Sequence, residues 1–227
     1  MRVMDTAVDE WYVDSHVLGR LATAAETTAR DYGRAFGGLL ELARHTGLHL
    51  GELVALETRD VDVRTSSLIV RRTWPHRSDG PKELDVRGRR TVSLSEPARR
   101  ALAQLDWHPE ATIVIATAGG PLSPNGFALR FRQVAVAAGF GALRYADLRL
   151  SYLQDLTAAG NTADWVGAQL GVNAQTVRDY WRKLGLRRPH ESASVAPSAT
   201  RSTSVVDPGL ERLVDRHHPT HPASRTS

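Results

Sequence analysis

The C-terminal half of the chain carries a regular series of signals that begin and end helices. Residues of types that cap helix N-termini open four consecutive segments, and each segment is closed at or just before a glycine: 123–139, 147–160, 161–171 and 173–185. Ser, Asp and Asn side chains accept hydrogen bonds from the first free amides of a helix, and glycine adopts the left-handed conformation that often ends one. The spacing therefore predicts four consecutive helices in this half of the chain.

The N-terminal half predicts further helices and a small sheet. The expected helices are 20–44, 51–57 and 95–105, and the expected strands or extended segments are 67–73, 89–94 and 112–116. Gly33, or the pair Gly37 and Gly38, is expected to interrupt the first helix. Helices, then a hairpin sheet, then helices again predict an α+β fold that is mainly helical, with a small antiparallel sheet.

The composition restricts partners and compartments. A net charge of +4 at pH 7 and a pI near 9.8 favour an anionic partner, nucleic acid first, although a general preference for arginine explains the same numbers. The chain has no cysteine, which excludes disulfides and thiolate metal sites, and we expect no metal or cofactor. Neither an apolar run of membrane-spanning length nor an apolar signal segment is present, so a cytoplasmic protein without membrane contact is expected.

The composition also predicts three segments along the chain. Residues 1–18 are expected to be an N-terminal extension, and residues 19–186 a single folded domain. Residues 187–227 are rich in Ser, Thr, Pro, His and Arg and carry few apolar side chains, so we expect a disordered tail there.

Two motifs point to a known family. Thr46–Leu53 reads TGLHLGEL, and the stretch 141–184 contains YADLRLS and, further on, LGV followed by a tyrosine. These resemble the T-G-L-R-x-G-E-L, H-D-L-R-H and L-G-H motifs in the catalytic domain of tyrosine recombinases, the phage-integrase family. The resemblance extends over roughly 18–184 and implies the fold of that domain, double-stranded DNA as partner, and a role in DNA recombination or integration.

The chemistry of the family explains which residues the resemblance makes important. A tyrosine hydroxyl attacks a DNA phosphodiester and becomes joined to the 3′ phosphate. Two arginines brace the phosphate oxygens, because a guanidinium donates two parallel hydrogen bonds. A lysine on a β-hairpin and histidines help to move protons.

Two family positions concern the arginines. Arg149 matches the second arginine, and Asp147 is expected to cap its helix and so to place Arg149 in the first turn, where helix amides favour a phosphate. His49 stands where the family has its first arginine. A neutral imidazole has one donor, and loss of one transition-state donor typically costs ~10²–10³ in rate. The alternative for His49 is an exposed or helix-capping histidine.

Three further positions concern proton transfer. Ala146 and Val172 stand where the family has histidines, and neither side chain can carry a proton. Lys82 is one of two lysines in the chain and lies in the predicted hairpin, where the family has its lysine. Chance explains its presence there equally well.

Tyr180 is the candidate nucleophile, but its spacing differs from that of the family. It follows Val172 by eight residues, where the family commonly has about nine, and Trp181 holds the ninth position. One residue rotates a helical side chain by about 100°, so a shortened turn at 172–174 is needed to bring the tyrosine into register. The alternative is an ordinary helix-face aromatic, with Tyr145 and Tyr152 as weaker rivals for the nucleophile.

Three functions stay open at this point. The first is a DNA-binding member of the family with impaired or lost catalysis, the second an active strand transferase that uses Tyr180, and the third a module that docks on a partner recombinase or on a second copy. Besides Arg149, six arginines are expected to flank a DNA-binding cleft: Arg71, Arg72, Arg89, Arg90, Arg130 and Arg132.

Overall fold

The computed structural model describes residues 12–28, 33–105, 116–117 and 120–186. The predicted tail at 187–227 therefore lies outside the described residues, as does all of the extended segment expected at 112–116 except its last residue. Within the described part of the chain, no helix combines the length and apolar character that a membrane crossing needs.

The described residues confirm the predicted class, a mainly helical fold with a small antiparallel sheet. The helices are α1 Ser15–Thr28, α2 Gly33–Thr46, α3 Leu50–Leu53, α4 Glu96–Ala103, α5 Pro124–Ala137, α6 Tyr145–Ala158, α7 Ala163–Leu170 and α8 Ala174–Lys183. The strands are β1 Val61–Asp62, β2 Ser67–Val70, β3 Arg72–Thr73, β4 Lys82–Glu83, β5 Arg90–Ser93, β6 Ala116–Thr117 and β7 Gly120–Pro121.

The folded domain begins before the predicted boundary at residue 19. Helix α1 starts at Ser15, and Val13 just before it is fully buried. The Val13 amide donates to Ser151 Oγ at 2.8 Å, and Arg44 Nε donates to the Val13 carbonyl at 2.5 Å. These backbone contacts attach the segment just before α1 to α2 and α6, and no periodicity in the sequence predicts them.

Helix α1 ends at Thr28 and α2 begins at Gly33, and positions 29–32 lie outside the described residues. Gly37 and Gly38 lie inside α2, so the alternative break there is wrong. A Cβ on Gly37 would stand 3.2 Å from that of Ala22, which shows that this glycine serves the close packing of α1 on α2.

The sheet is antiparallel, with β2 between β1 and β5, and Leu68 is paired with Val92. The strand predicted at 67–73 is divided at Arg71, because β2 pairs with β5 whereas β3 pairs with β4. The Arg71 carbonyl accepts a hydrogen bond from the Leu84 amide at 2.7 Å, and this bond lies between the β2–β5 ladder and the β3–β4 ladder.

The predicted helix starts in the C-terminal half are close to those observed, with two corrections. Helix α6 begins at Tyr145, and Asp147 sits at its third position, where its Oδ2 accepts the Arg144 amide at 2.7 Å. Thr162, and not Asn161, caps α7. Arg149 therefore lies in the second turn of α6, beyond the free amides of the first turn.

Two hydrophobic cores meet along α6. The larger core joins α1, α2, α4, α5 and the sheet, and includes Phe36, Phe127 and Leu148. The smaller core joins the end of α6 to α7 and α8 around Tyr152, Leu153, Val166, Leu170 and Trp181. The position of α8 therefore depends on a packing unit that is partly separate from the main core.

Candidate active site

A cavity of about 610 Å³ lies where residues of the two cores meet. Its wall takes side chains from α3, α6, α7, α8 and the segment after β3. Among the wall residues are four of the predicted site residues: His49, Ala146, Arg149 and Tyr180. The structure thus gathers positions that are up to 131 residues apart in the sequence into one concave site.

Tyr180 and Trp181 point to different surroundings. Tyr180 is partly buried and lines the cavity. Trp181 is buried in the smaller core, where its Nε1 donates to Thr157 Oγ1 at 2.6 Å. This bond and the indole packing fix the rotation of α8, so that the residue turned toward the cavity is the tyrosine.

A short turn before α8 produces that rotation. Helix α7 ends at Gly171, which has φ 68°, and Asn173 already caps α8 by accepting the Thr176 amide at 2.8 Å. Val172 lies between them, and its amide donates to the Gly167 carbonyl at 3.0 Å. The side chain of Val172 packs against the smaller core, which suits an apolar residue at this position.

Arg149 connects two parts of the site from its position on α6. Its Nη1 donates to the Gly47 carbonyl, and its Nη2 donates to the Leu170 carbonyl at 2.6 Å. Burial lowers the pKa of its guanidinium, Glu52 opposes this, and the charge of Arg90 lowers it further. Arginine nevertheless keeps its proton at neutral pH. The two bonds leave three N–H groups and hold the cation in one orientation beside Tyr180.

His49 is the N-cap residue of α3 and lines the cavity, with part of its surface open to solvent and part covered. Its amide donates to Glu52 Oε2 at 2.8 Å. Partial burial of the ring lowers the pKa of His49, and the charge of Arg149 lowers it further. At neutral pH the imidazole is therefore uncharged, and Arg149 is not joined by a second permanent cation from position 49.

Arg90, expected to contact DNA, is turned inward. Its Nη1 and Nη2 donate to the two Glu52 carboxylate oxygens at 2.6 and 2.7 Å, and its Nε donates to the Gln169 carbonyl at 3.0 Å. Burial acts to raise the pKa of Glu52, but the hydrogen bonds and charge of Arg90 outweigh it and lower that pKa. Arg90 and Arg149 together hold two successive carbonyls at the end of α7.

Arg72 is also committed to the interior. Its side chain is 8% exposed, with Nη2 2.7 Å from Asp60 Oδ2 and Nη1 paired with Glu57. Burial of this kind follows from its place in β3 beside the turn at Thr58–Asp60. Carboxylates of the same chain occupy the guanidinium groups of Arg72 and Arg90, and we therefore propose no DNA contact for either arginine.

The other arginines are more accessible. Arg89 and Arg132 are exposed, and Arg71 and Arg130 are partly exposed. Arg89 pairs with Glu83 at 3.1 Å, and Arg71 Nε lies 3.4 Å from Asp60 Oδ1. DNA contact through these four side chains stays a prediction.

Lys82 lies at the edge of the site. It is exposed on β4, directly opposite Thr73 on β3. Paired residues in an antiparallel ladder project from the same face, and Thr73 lines the cavity. The register therefore places Lys82 on the face of the hairpin that borders the cavity.

The rival tyrosines are unsuited to nucleophilic attack. Tyr145 donates its hydroxyl to the Leu48 carbonyl at 3.0 Å, and burial raises its pKa. Tyr152 is buried, and desolvation raises its pKa to about 12. A hydroxyl with a raised pKa is a poorer source of phenolate, so neither rival is suited to attack a phosphate, and Tyr180 stays the candidate nucleophile.

Sequence reasoning missed several members of the wall. Trp74, His76 and Arg144 also line the cavity. Trp74 and His76 follow β3 in a polar segment with no helical or strand periodicity, and Arg144 precedes α6 without any motif. The site can hold an anion near Arg149 and Tyr180, because no carboxylate lies among the described residues of its wall.

Comparisons with known proteins agree with this architecture. The sequence model described as "Phage integrase family" matches residues 12–188 of the chain. No curated protein sequence matches it.

Solved structures of similar fold include integrases and recombinases. The Tn1549 transposon integrase in complex with transposon right end DNA gives a TM-score of 0.65 at 13% identity, over 79% of this chain and 64% of that chain. XerA recombinase gives a TM-score of 0.57 at 17% identity, over 92% of this chain and 64% of that chain. A lambda integrase dimer bound to a COC′ core site gives a TM-score of 0.53 at 16% identity, over 74% of this chain and 47% of that chain. The chain thus spans under two thirds of each of these proteins, and the likeness shows the fold.

Proposed function

The chain belongs to the phage integrase family, and on that premise we propose that it binds double-stranded DNA while its ability to cut DNA strands is impaired or lost. The observation that carries this proposal is the makeup of one cavity. Tyr180 and Arg149, the candidate nucleophile and one candidate arginine, share it with His49 and Ala146, which stand where the family motifs have an arginine and a histidine.

The support for DNA binding comes from charge and from the related structures. The chain is basic, the wall of the cavity carries Arg144 and Arg149 without a carboxylate among its described residues, and Arg89 and Arg132 are exposed. Two of the structures of similar fold named above are complexes with DNA. Contacts with phosphates give affinity that falls steeply with salt.

The support for impaired cutting comes from the needs of the DNA phosphate that would be transferred to the tyrosine. Its oxygens gain negative charge during the reaction, and two guanidinium forks are needed to brace them. Here Arg149 supplies one fork, while the imidazole of His49, with its lowered pKa, is uncharged at neutral pH. Ala146 cannot carry a proton, and Val172 packs into a hydrophobic core.

An active strand transferase is the second candidate function, and the rotation of α8 favours it. With Trp181 fixed in the core by Thr157, Tyr180 faces the cavity beside Arg149. In such a reaction the Tyr180 oxygen forms a bond to phosphorus and the bond from phosphorus to the 5′ oxygen breaks. The Tyr180 proton passes to water, and a second proton reaches the 5′ oxygen. Lys82 is the candidate donor of that second proton.

Two measurements test the proposal. Fluorescence anisotropy with labelled duplex DNA should show binding at low salt that weakens steeply as salt is added. No binding by a folded sample at low salt would contradict the DNA-binding function and favour the module that docks on a partner recombinase.

The second measurement is denaturing electrophoresis after incubation with labelled nicked DNA. We expect no protein-linked band from the wild type, and little gain from His49→Arg, because the positions of Ala146 and Val172 stay without histidines. A slow-migrating band that disappears in Tyr180→Phe would instead establish the active transferase.

A further inference from the structure

His76 is a polar side chain of the cavity that lies outside the family motifs. It follows β3, is exposed, and lines the wall together with His49, Arg149 and Tyr180. Its position gives the cavity an imidazole from a different element than those that would carry the histidines of the family.

Asn125 holds His76 through two hydrogen bonds across 49 residues of sequence. His76 Nδ1 lies 2.8 Å from Asn125 Oδ1, and Asn125 Nδ2 donates to the His76 carbonyl at 3.4 Å. Asn125 is itself fixed in the first turn of α5, whose cap Ser123 accepts the Gly126 amide at 3.2 Å. The imidazole is therefore hydrogen-bonded to the first turn of α5.

The amide of Asn125 decides which ring nitrogen is left for a ligand. Because its Nδ2 donates to a carbonyl, its Oδ1 faces the ring and accepts a hydrogen bond from the Nδ1–H group of His76. Nε2 is then a lone-pair acceptor in the neutral ring and a donor in the imidazolium. When the ring carries both protons, Nε2 donates a hydrogen bond to an anion in the cavity.

The surroundings of His76 favour an anion. No carboxylate lies among the described residues of the cavity wall. The titratable and charged groups that share the wall with His76 are His49, Arg144, Tyr145, Arg149 and Tyr180. Arg149 attracts an anion, whereas the charge of Arg144 is shared with Asp147, whose Oδ1 lies 3.1 Å from Arg144 Nη2. His49 with its lowered pKa adds no charge at neutral pH.

We propose that His76, oriented by Asn125, contacts a DNA phosphate as an imidazolium. It provides the cavity with a proton-bearing side chain that Ala146 and Val172 do not provide. This assignment rests on the proposed DNA-binding function, which its test must therefore separate from the role of His76.

The first test compares duplex DNA affinity of wild type, His76→Gln and His16→Gln by anisotropy at pH 6 and pH 8. Glutamine keeps a polar head but cannot ionise, and His16 is an exposed histidine of α1 that lines a different cavity. We expect His76→Gln to weaken binding about tenfold at pH 6 and about twofold or less at pH 8, with His16→Gln unchanged. Equal affinities for the wild type and His76→Gln at both pH values would overturn the assignment.

The second test uses inorganic phosphate as the probe and does not depend on DNA. Histidine side-chain ¹⁵N NMR of the wild type should show one imidazole, absent in His76→Gln, whose signals shift on adding phosphate and whose neutral form carries its proton on Nδ1. Asn125→Ala should lose that tautomer preference and weaken the phosphate response. A His76 signal unmoved by phosphate contradicts the assignment even if the protein binds DNA. A shifted signal without DNA binding supports it and contradicts the proposed function instead.

Discussion

Glu52 and Arg90 form a two-point ion pair, with oxygen to nitrogen distances of 2.6 and 2.7 Å, and both side chains are at most 10% exposed. The pair connects α3, which carries the first family motif, to β5 of the sheet. Through Arg90 Nε it also reaches the end of α7. The candidate site is thus held by a charge pair whose arginine the sequence alone predicts as a DNA contact.

Arg90→Ala is expected to lower the free energy of unfolding by about 3–5 kcal/mol, because it leaves the Glu52 carboxylate buried without its partner. Arg89→Ala is the matched control, since its pair with Glu83 is exposed on both sides, and it should cost less than about 1 kcal/mol. Urea denaturation measures both. Similar small losses for the two variants would contradict a structural role for Arg90.

Trp181→Phe is expected to destabilise the protein by about 1–3 kcal/mol, because the indole donor to the buried Thr157 hydroxyl is lost. Tyr180→Phe should change the free energy of unfolding by about 0.5 kcal/mol or less, since Tyr180 lines a cavity. Chemical denaturation of the two variants side by side checks the rotation of α8. The reverse order of stabilities would mean that the tryptophan, and not the tyrosine, faces the cavity.

Gly47→Ala should destabilise the protein more than Gly160→Ala. Both glycines have positive φ, 61° and 82°, so each substitution costs roughly 1–2 kcal/mol in backbone strain. At Gly47 the new Cβ would also stand 2.6 Å from Leu170 Cδ2 and Tyr152 Cδ1, whereas at Gly160 no atom lies within 4 Å. Overpacking adds about 1–3 kcal/mol at Gly47, and thermal denaturation should show the difference.

The protein should lose stability as pH falls below about 6.5, in part through His45. Burial, followed by the charge of Arg44, lowers the pKa of His45 to about 4. Between the two pKa values the unfolded chain binds the proton and the folded chain does not, so stability from this group is present at neutral pH and lost toward pH 4. The loss is on the order of 1–2 kcal/mol between pH 7 and pH 5.

His45→Gln should remove that part of the pH dependence. Urea denaturation at pH 7 and pH 5 measures it, with the difference between the two pH values smaller in the variant than in the wild type. An unchanged difference would show that His45 is not the group responsible.

Local signals in the sequence were sufficient for the helices of the C-terminal half. Capping residues and glycines act within one turn of the chain, so Ser123, Asn173 and Gly171 could be assigned correctly without knowledge of the fold. Asp147 was assigned correctly to the start of α6 but not to its position, because a carboxylate can satisfy free amides either as the cap or from the third position.

The sequence by itself determined the mainly helical class and, through its motifs, the family and four members of one candidate site. Only the tertiary structure decided which side chains face that site. Trp181 faces inward because Thr157 on another helix accepts its hydrogen bond, and Arg90 and Arg72 point inward because carboxylates distant in sequence pair with them. His76 is held at the cavity by a hydrogen bond with Asn125, which is 49 residues away in the sequence. Such contacts depend on packing between elements, and side-chain orientation on a helix changes by about 100° with each residue, so no local pattern can fix them.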